Sequence, residues 1–412
     1  YRHWLGGVLG NPPKNIDMSS VADFRSNYHK KVSINTAYFV PHGTVRLEVL
    51  GFRDLPMIGN ALNKARELIL EGLNQGAVGF TSGGGYFPGP WADTQELIEL
   101  CKVVAKAGGI YMCEPRRSNL NRAFRHNGIE EALEVARQTG VKLHIAHFRT
   151  SAQTAGEVDK RMSLIDKAKA DGVDCTLDIY PYPTGSTIPV SFLPDFAQEG
   201  GPEATIERLN DPVQRKRIIQ FLKETDELPV DLEAAVFSYL PQNPGLEGMT
   251  LSEIAYQRDK SLEDTLCDLL VEERLKIGYW ENPPDIDVWN QINQDCMELL
   301  SRPDYMVCSD ITPAGSRPHP RCYGAFPRFL GRLRRDFGFI SLEQMVHRMT
   351  GRPAQRFGIP KRGQIKQGYY ADLVVFDPAK VNDNATYDDP CKYPTGIPFV
   401  LVNGQLAVDN EI

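Results

Sequence analysis

Between residues 33 and 310 the sequence keeps returning to one unit, a short apolar strand pattern followed by a longer helical one. That alternation holds the chain to a parallel α/β sheet or barrel, because parallel neighbours need a long crossover and a helix is the usual one. The unit is plainest around VKLHIAHFR at 141–149. Residues 128–140 read as a helix closed by glycine, and residues 155–170 as the next helix. Between them Val141, Leu143, Ile145 and His147 alternate with Lys142, His144 and Ala146, a strand period that places His147 on the apolar face. Further strands are read at 33–40, 77–81, 110–114, 173–180, 276–280 and 305–309, with helices at 61–74, 94–106, 251–257, 261–273 and 288–300.

Position along those strands carries the first functional reading. In a closed (β/α) barrel, polar residues at the C-terminal strand ends point into the site built by the following loops. Three strands end in a residue able to bind metal or move a proton: Glu114 after Ile110 and Met112, His147 after Leu143 and Ile145, and Asp310 after Met306 and Cys308. Imidazole and carboxylates suit zinc or a similar divalent ion, and a carboxylate beside an activated water can carry its proton to a leaving group. Tyr86, Arg149, Tyr180, Ser186 and His319 fall on adjoining loops, where they can bind an anionic or amide substrate. A core histidine satisfied by a backbone carbonyl is the competing reading of His147, and packing or surface duty that of each loop residue.

The 412 residues suffice for one large α/β domain and a smaller module. Residues 1–360 read as the barrel, and 361–412 as C-terminal strands of a small β module with a hairpin built on Asn403 and Gly404. These pieces are too few for a stable sheet alone, so partner strands are expected from elsewhere. At 181–244 the alternation is broken by proline-rich sequence and then charged helical sequence, an insertion over the strand ends that is either a substrate wall or a structural decoration. A net charge of -7 without a basic, aromatic-interleaved stripe argues against a nucleic-acid partner, and no apolar run reaches the length of a membrane span. Eight cysteines occur singly, without a CxxC pair, which reads as free thiols in a reducing, cytoplasmic setting.

Several stretches also match a known pattern in order: GAVGFTSGGGYFPGPWADTQELIELCKVVAKAGGIY, HIAHFR, DIYPYPTGST, CSD, HPRCYGAFPRFLGR and GYYADLVVFDP, followed by ATYDDP and VNG. Together they resemble the D-aminoacylase (N-acyl-D-amino-acid deacylase) family of the amidohydrolase superfamily. The resemblance implies a (β/α)8 TIM-like barrel of the amidohydrolase type with a small β-sandwich module, incomplete at the N-terminus. It implies metal-dependent hydrolysis of the amide of an N-acyl-D-amino acid, with a divalent metal, zinc by preference, and that small molecule as partner. His147 is then a metal ligand, Asp310 the acid/base, and Tyr86, Tyr180 and Ser186 substrate contacts. Arg149 stands where many members have lysine, which keeps a cation but changes its hydrogen-bond geometry.

Two departures accompany the match. The family's HxH strand and its metal-binding cysteine segment do not occur in this chain, which reads as truncated at both ends. Glu114, in YMCEPRR, occupies the place of a strand-end histidine. It is either a metal ligand that adds negative charge or an ion-pair partner of Arg116 and Arg117. The alternative function is therefore a pseudoenzyme, a small-molecule binding protein on the same scaffold without a working metal centre.

Overall fold

The structure, a computed structural model, describes residues 4–117, 119–225, 228 and 231–410. Its frame is a parallel sheet. Five strands come first: β1 (Phe39–Pro41), β2 (Gly79–Gly83), β3 (Ile110–Glu114), β4 (Lys142–Ile145) and β5 (Cys175–Ile179). The chain then leaves for β6 (Ser186–Thr187), β7 (Ala235–Tyr239) and β8 (Gly278–Glu281), and returns in β9 (Tyr305–Val307). The sheet order is β1-β2-β3-β4-β5-β9, every pair parallel.

Helices Gly59–Asn74, Thr94–Lys106, Gly128–Thr139 and Val158–Ala170 make the crossovers. Their ends are set locally. Asp93 accepts the Glu96 N–H, Asn127 accepts those of Ile129 and Glu130, and Gly140 closes its helix in the left-handed region at φ 68°. The α/β class and the individual crossovers thus follow the sequence pattern, and the six parallel strands form one sheet with β1 and β9 at its edges.

The register decides which face each strand residue serves. Phe80, Tyr111, Leu143 and Cys175 stand side by side and pack into the main core with Ile69, Leu100 and Ile165 from the helices. Burying such an aliphatic side chain contributes about 1.5–3 kcal/mol, so this layer holds the helices to the sheet. The adjacent row of Met112, His144 and Thr176 faces the other way. The expected phase of β4 is therefore corrected. Leu143 and Ile145 enter the helix-packed core, fully buried His144 faces the interior of the strand-end region, and the strand stops at Ile145. His147 escapes the alternation because its own backbone turns to φ 35°.

Two other strand expectations change. Of residues 33–40 only Phe39 and Val40 pair, in β1 with Pro41, since residues 33–37 are exposed and have no strand beside them among the described residues. The segment expected at 276–280 does not rejoin the parallel sheet; β8 pairs antiparallel with β6 and β7. A short apolar run serves a parallel or an antiparallel core equally well, and here Ile277, Tyr279 and Phe237 pack into a second hydrophobic cluster with Ile188, Val190 and Leu266. Trp4 belongs to that cluster too, and a Cβ on Gly7 would lie 1.7 Å from the Ile277 carbonyl oxygen, so the short helix Gly6–Leu9 lies directly on β8.

The tail forms β10 (Leu373–Val375), β11 (Phe399–Val402) and β12 (Gln405–Asp409), an antiparallel sheet whose last turn holds Asn403 and Gly404 at φ 52° and 80°. Between β10 and β11, the buried carboxylate of Asp383 takes ion pairs from Arg328 and Arg332. Gly331, in a π-turn that continues helix Arg321–Arg328, meets the same segment: a Cβ there would lie 2.1 Å from the Val381 carbonyl oxygen. Gly331→Ala is expected to cost about 1–3 kcal/mol by overpacking. An unchanged urea midpoint would show that this segment is not tightly docked.

Candidate active site

The C-terminal strand ends converge on a cavity of about 400 Å³. Glu114 is the last residue of β3, His147 follows β4, and Asp310 follows β9 with its backbone at φ 46°. Tyr86 comes from the loop after β2, Arg149 from that after β4, Tyr180 from that after β5, and Ser186 from β6; all seven line the cavity.

His147 Nε2 lies 3.8 Å from Glu114 Oε1, with the two side chains 18% and 32% exposed. Beneath His147 sits a buried polar relay. Asp178 Oδ1 accepts the His147 backbone N–H at 2.5 Å, its Oδ2 meets His144 Nε2 at 2.9 Å, and His144 Nδ1 meets Thr176 Oγ1 at 2.8 Å. Burial pushes the Asp178 carboxyl up, but the His144 hydrogen bond and charge, with the His147 amide, outweigh it and hold the group below the ordinary carboxylate range. The anchored amide fixes the left-handed turn that delivers His147 to the cavity.

Opposite this pair, Arg321 Nη1 approaches Asp310 Oδ2 at 2.8 Å, a charge contact not aligned as a hydrogen bond. Arg321 Nη2 donates to the Ser186 carbonyl oxygen at 3.1 Å. The Tyr180 ring is flanked by two guanidinium groups, Arg321 at 4.6 Å and Arg149 at 4.9 Å, and Arg149 Nη2 also donates to the Tyr180 hydroxyl at 3.0 Å. Ser186 Oγ donates to the Tyr279 carbonyl at 2.8 Å and lies 2.8 Å from Thr312 Oγ1. Tyr86 shares a 2.6 Å hydrogen bond with Thr187, and burial pushes its phenol well above the usual range. A Cβ on Gly83 would stand 2.8 Å from the Tyr86 ring, so the glycine makes room for it.

His319 is the one candidate that the structure places behind the cavity wall. It is fully buried, its Nδ1 accepts the Arg321 backbone N–H at 3.1 Å, and its Nε2 lies 3.0 Å from Thr184 Oγ1. Burial first, and the Arg321 and Arg149 charges next, hold its pKa well below the ordinary value, so it is a neutral support for the turn that leads into helix Arg321–Arg328. Of the two readings of Glu114, the ion pair with Arg116 or Arg117 is not formed among the described residues. Arg116 turns away, with Nε donating to buried Glu131 at 2.7 Å and Nη1 to the Ala92 carbonyl at 2.9 Å. Glu114 thus faces His147.

Arg321 and Glu281, which line the same cavity, and Asp178 beneath His147 are residues that sequence reasoning passed over. Arg321 opens helix Arg321–Arg328 but follows proline- and glycine-rich sequence without periodicity to mark it. Asp178 did carry a signal, a carboxylate in the middle of an apolar strand, which demands a buried partner.

A catalytic zinc site normally has three protein ligands and a water. Among the described residues no group of three His, Cys, Asp or Glu side chains could hold a metal ion, and His147 with Glu114 offers two. By themselves these residues do not fit a complete zinc centre.

Carboxylates, an imidazole and guanidinium groups gathered at the strand ends of a parallel sheet define the class: an α/β protein with a strand-end active-site pocket. Residues 261–408 match the amidohydrolase family, and the chain is 31% identical to a D-aminoacylase of Alcaligenes xylosoxydans xylosoxydans over 90% of its own length and 66% of the relative's. With an N-acyl-D-glutamate deacylase of that organism it shares 30% identity over 96% of its own length and 71% of the relative's. The chain belongs to the D-aminoacylase family of amidohydrolases.

Solved structures agree. A crystal structure of D-aminoacylase superposes with a TM-score of 0.75 at 30% identity, covering 98% of this chain and 77% of the other. The N-acyl-D-glutamate deacylase of Bordetella bronchiseptica, solved with zinc and a phosphonate mimic of the tetrahedral intermediate, gives 0.77 at 28%, covering 98% and 74%. The chain thus spans about two thirds of the D-aminoacylase it matches.

Proposed function

We propose that this chain is the substrate-binding and proton-transferring part of a metal-dependent hydrolase that cleaves the amide bond of N-acyl-D-amino acids. The observation that carries the reading is the meeting of Asp310, Arg321, Tyr180 and Arg149 in the strand-end cavity beside His147 and Glu114. Relatives named for that reaction share the fold over nearly the whole chain.

In this reading Asp310 takes a proton from the attacking water and returns it to the departing amine, both exchanges at its carboxylate oxygens. Arg321 holds Asp310 in place and, with Arg149, supplies positive charge for a substrate carboxylate. Tyr86 presents its hydroxyl toward the amide carbonyl, while Ser186, its hydroxyl donated to the Tyr279 carbonyl, shapes the wall beside the substrate. The divalent ion, zinc by the precedent of the Bordetella bronchiseptica relative, would draw a nitrogen donor from His147 and an oxygen donor from Glu114. When bound it supplies Lewis acidity to the water. Eight free cysteines, five of them buried, support a cytoplasmic setting, and no described helix is long and apolar enough to cross a membrane.

The test is amine release from a panel of N-acyl-D-amino acids and their L counterparts, with zinc added. Release from the D series alone supports the proposal. Binding without release from any of them favours the second reading, a binding protein on this scaffold.

The metal part has its own test. With two donors the chain is expected to lose zinc on dialysis, and Glu114→His is expected to retain more, because imidazole replaces a carboxylate that adds negative charge. Elemental analysis decides: stoichiometric zinc in the unaltered chain would sink the first expectation, and unchanged retention in the variant would remove Glu114 as a ligand.

A further inference from the structure

Behind the cavity wall three distant segments of the chain meet at one hydrogen-bonded node. Thr184 comes from the loop after β5, His319 from the turn before helix Arg321–Arg328, and Tyr387 from the tail between β10 and β11. His319 Nδ1 accepts the Arg321 backbone N–H, so in the neutral ring the hydrogen sits on Nε2. That nitrogen lies 3.0 Å from Thr184 Oγ1 and 3.2 Å from the Tyr387 hydroxyl oxygen, and the two hydroxyls are hydrogen-bonded to each other. The Tyr387 ring is wedged among aromatics, with centroids 4.9 Å from Trp280, 5.2 Å from His319 and 6.0 Å from Trp289. Its segment is pinned on either side, by Asp383, which pairs with Arg328 and Arg332, and by the Asp388 carbonyl, which accepts from Arg317.

Packing alone would be served as well by phenylalanine. The hydroxyl is the part that packing does not need, and burial pushes its pKa above the usual phenol range, so it keeps its proton and stays a hydrogen-bond partner. Two cavity residues hang from the node. Arg321 lies two residues after His319 and sets its guanidinium against Asp310 and the Tyr180 ring; Ser186 lies two residues after Thr184, and its carbonyl accepts from Arg321. From this geometry we infer that Tyr387 is a positioning residue of the reaction centre: its hydroxyl locks the His319 ring, the ring holds the Arg321 amide, and Arg321 keeps Asp310 in place. The inference rests on the hydrolase reading for the part that Asp310 plays, but not for the node itself. It makes the tail between β10 and β11 a working part of the site, although Tyr387 does not line the cavity.

Steady-state kinetics of Tyr387→Phe, Thr184→Val and the double variant test it, on an N-acyl-D-amino acid that the unaltered chain cleaves. Tyr387→Phe keeps the ring packing, so its urea midpoint is expected to hold while kcat falls about tenfold or more and KM moves by less than about twofold. Both hydroxyls act through His319 Nε2, so the double variant is expected to lose less than the two single losses multiplied. A second readout does not depend on turnover. In nitrogen NMR of histidine-labelled protein, with His319→Gln to assign the signal, the His319 Nε2 resonance is expected to shift in Tyr387→Phe. A kcat equal to the parent's, or a loss matched by lost folded protein, would overturn the inference. A fall in kcat with an unmoved His319 resonance would overturn it too, since the effect would then not pass through the ring. If the unaltered chain cleaves nothing, the hydrolase reading falls and the spectrum decides alone: an unmoved resonance removes the node as well, and a shifted one retains Tyr387 as the support of the Arg321 turn.

Discussion

Asp310→Asn is expected to lower amide hydrolysis by about 10²- to 10⁴-fold, the usual contribution of a positioned acid/base group, while leaving the fold in place. The side chain is 37% exposed and its partner is Arg321, so an isosteric amide keeps the shape of the contact and removes the charge and the proton-carrying oxygen. The loss should appear in kcat more than in KM, because proton transfer matters in the transition state and little in substrate binding. A variant that turns over as fast as the parent would exclude Asp310 from the reaction. A variant that fails to bind substrate would make Asp310 a binding residue.

The largest expected effect on stability lies one residue pair behind the site. Arg116→Met should cost about 3–5 kcal/mol, the typical penalty for stranding one member of a buried ion pair. Its partner Glu131 is buried, and the same guanidinium also satisfies the carbonyls of Pro90 and Ala92. Burial already pushes the Glu131 pKa up against the pull of Arg116. Without the arginine, the carboxylate must take up a proton or open the core to water. Adding Glu131→Leu to Arg116→Met should recover part of the loss, since an apolar pair carries no stranded charge. Chemical denaturation of the two variants decides it, and a double variant less stable than the single one would contradict the account. Gly84 and Gly128 add to the case, because a Cβ at either would come within 2.5 Å of the Arg116 backbone. The three residues thus form one close-packed corner under Glu114.

Much of the frame was legible because alternation is a repeated signal. The helices after β1 to β4 and the hairpin at Asn403 and Gly404 each rest on several residues that agree. Single-strand phase was less secure. Counting by twos through HIAH put His147 with Leu143 and Ile145, but a left-handed residue breaks the count, and no periodicity anticipates it. His144 fell on the face alternate to that apolar row and is the buried partner of Asp178. The segment around β8 was misplaced for a related reason, since an apolar run does not state which sheet it joins.

Of the site residues, Glu114, His147 and Asp310 were readable from their place at strand ends, and the structure gathers them at one cavity. Arg321 was not readable in the same way, as its importance lies in a neighbour eleven residues upstream across a loop rich in proline and glycine.

The two edge strands of the parallel sheet bear on how the protein behaves in concentrated solution. An edge strand is a template for the next chain, and fibrillar growth favours long, flat runs of unpaired peptide groups. Here β1 and β9 are three residues long each, and β1 ends in Pro41, which has no amide hydrogen to offer. A neighbouring molecule therefore finds little to extend at either of these two strands.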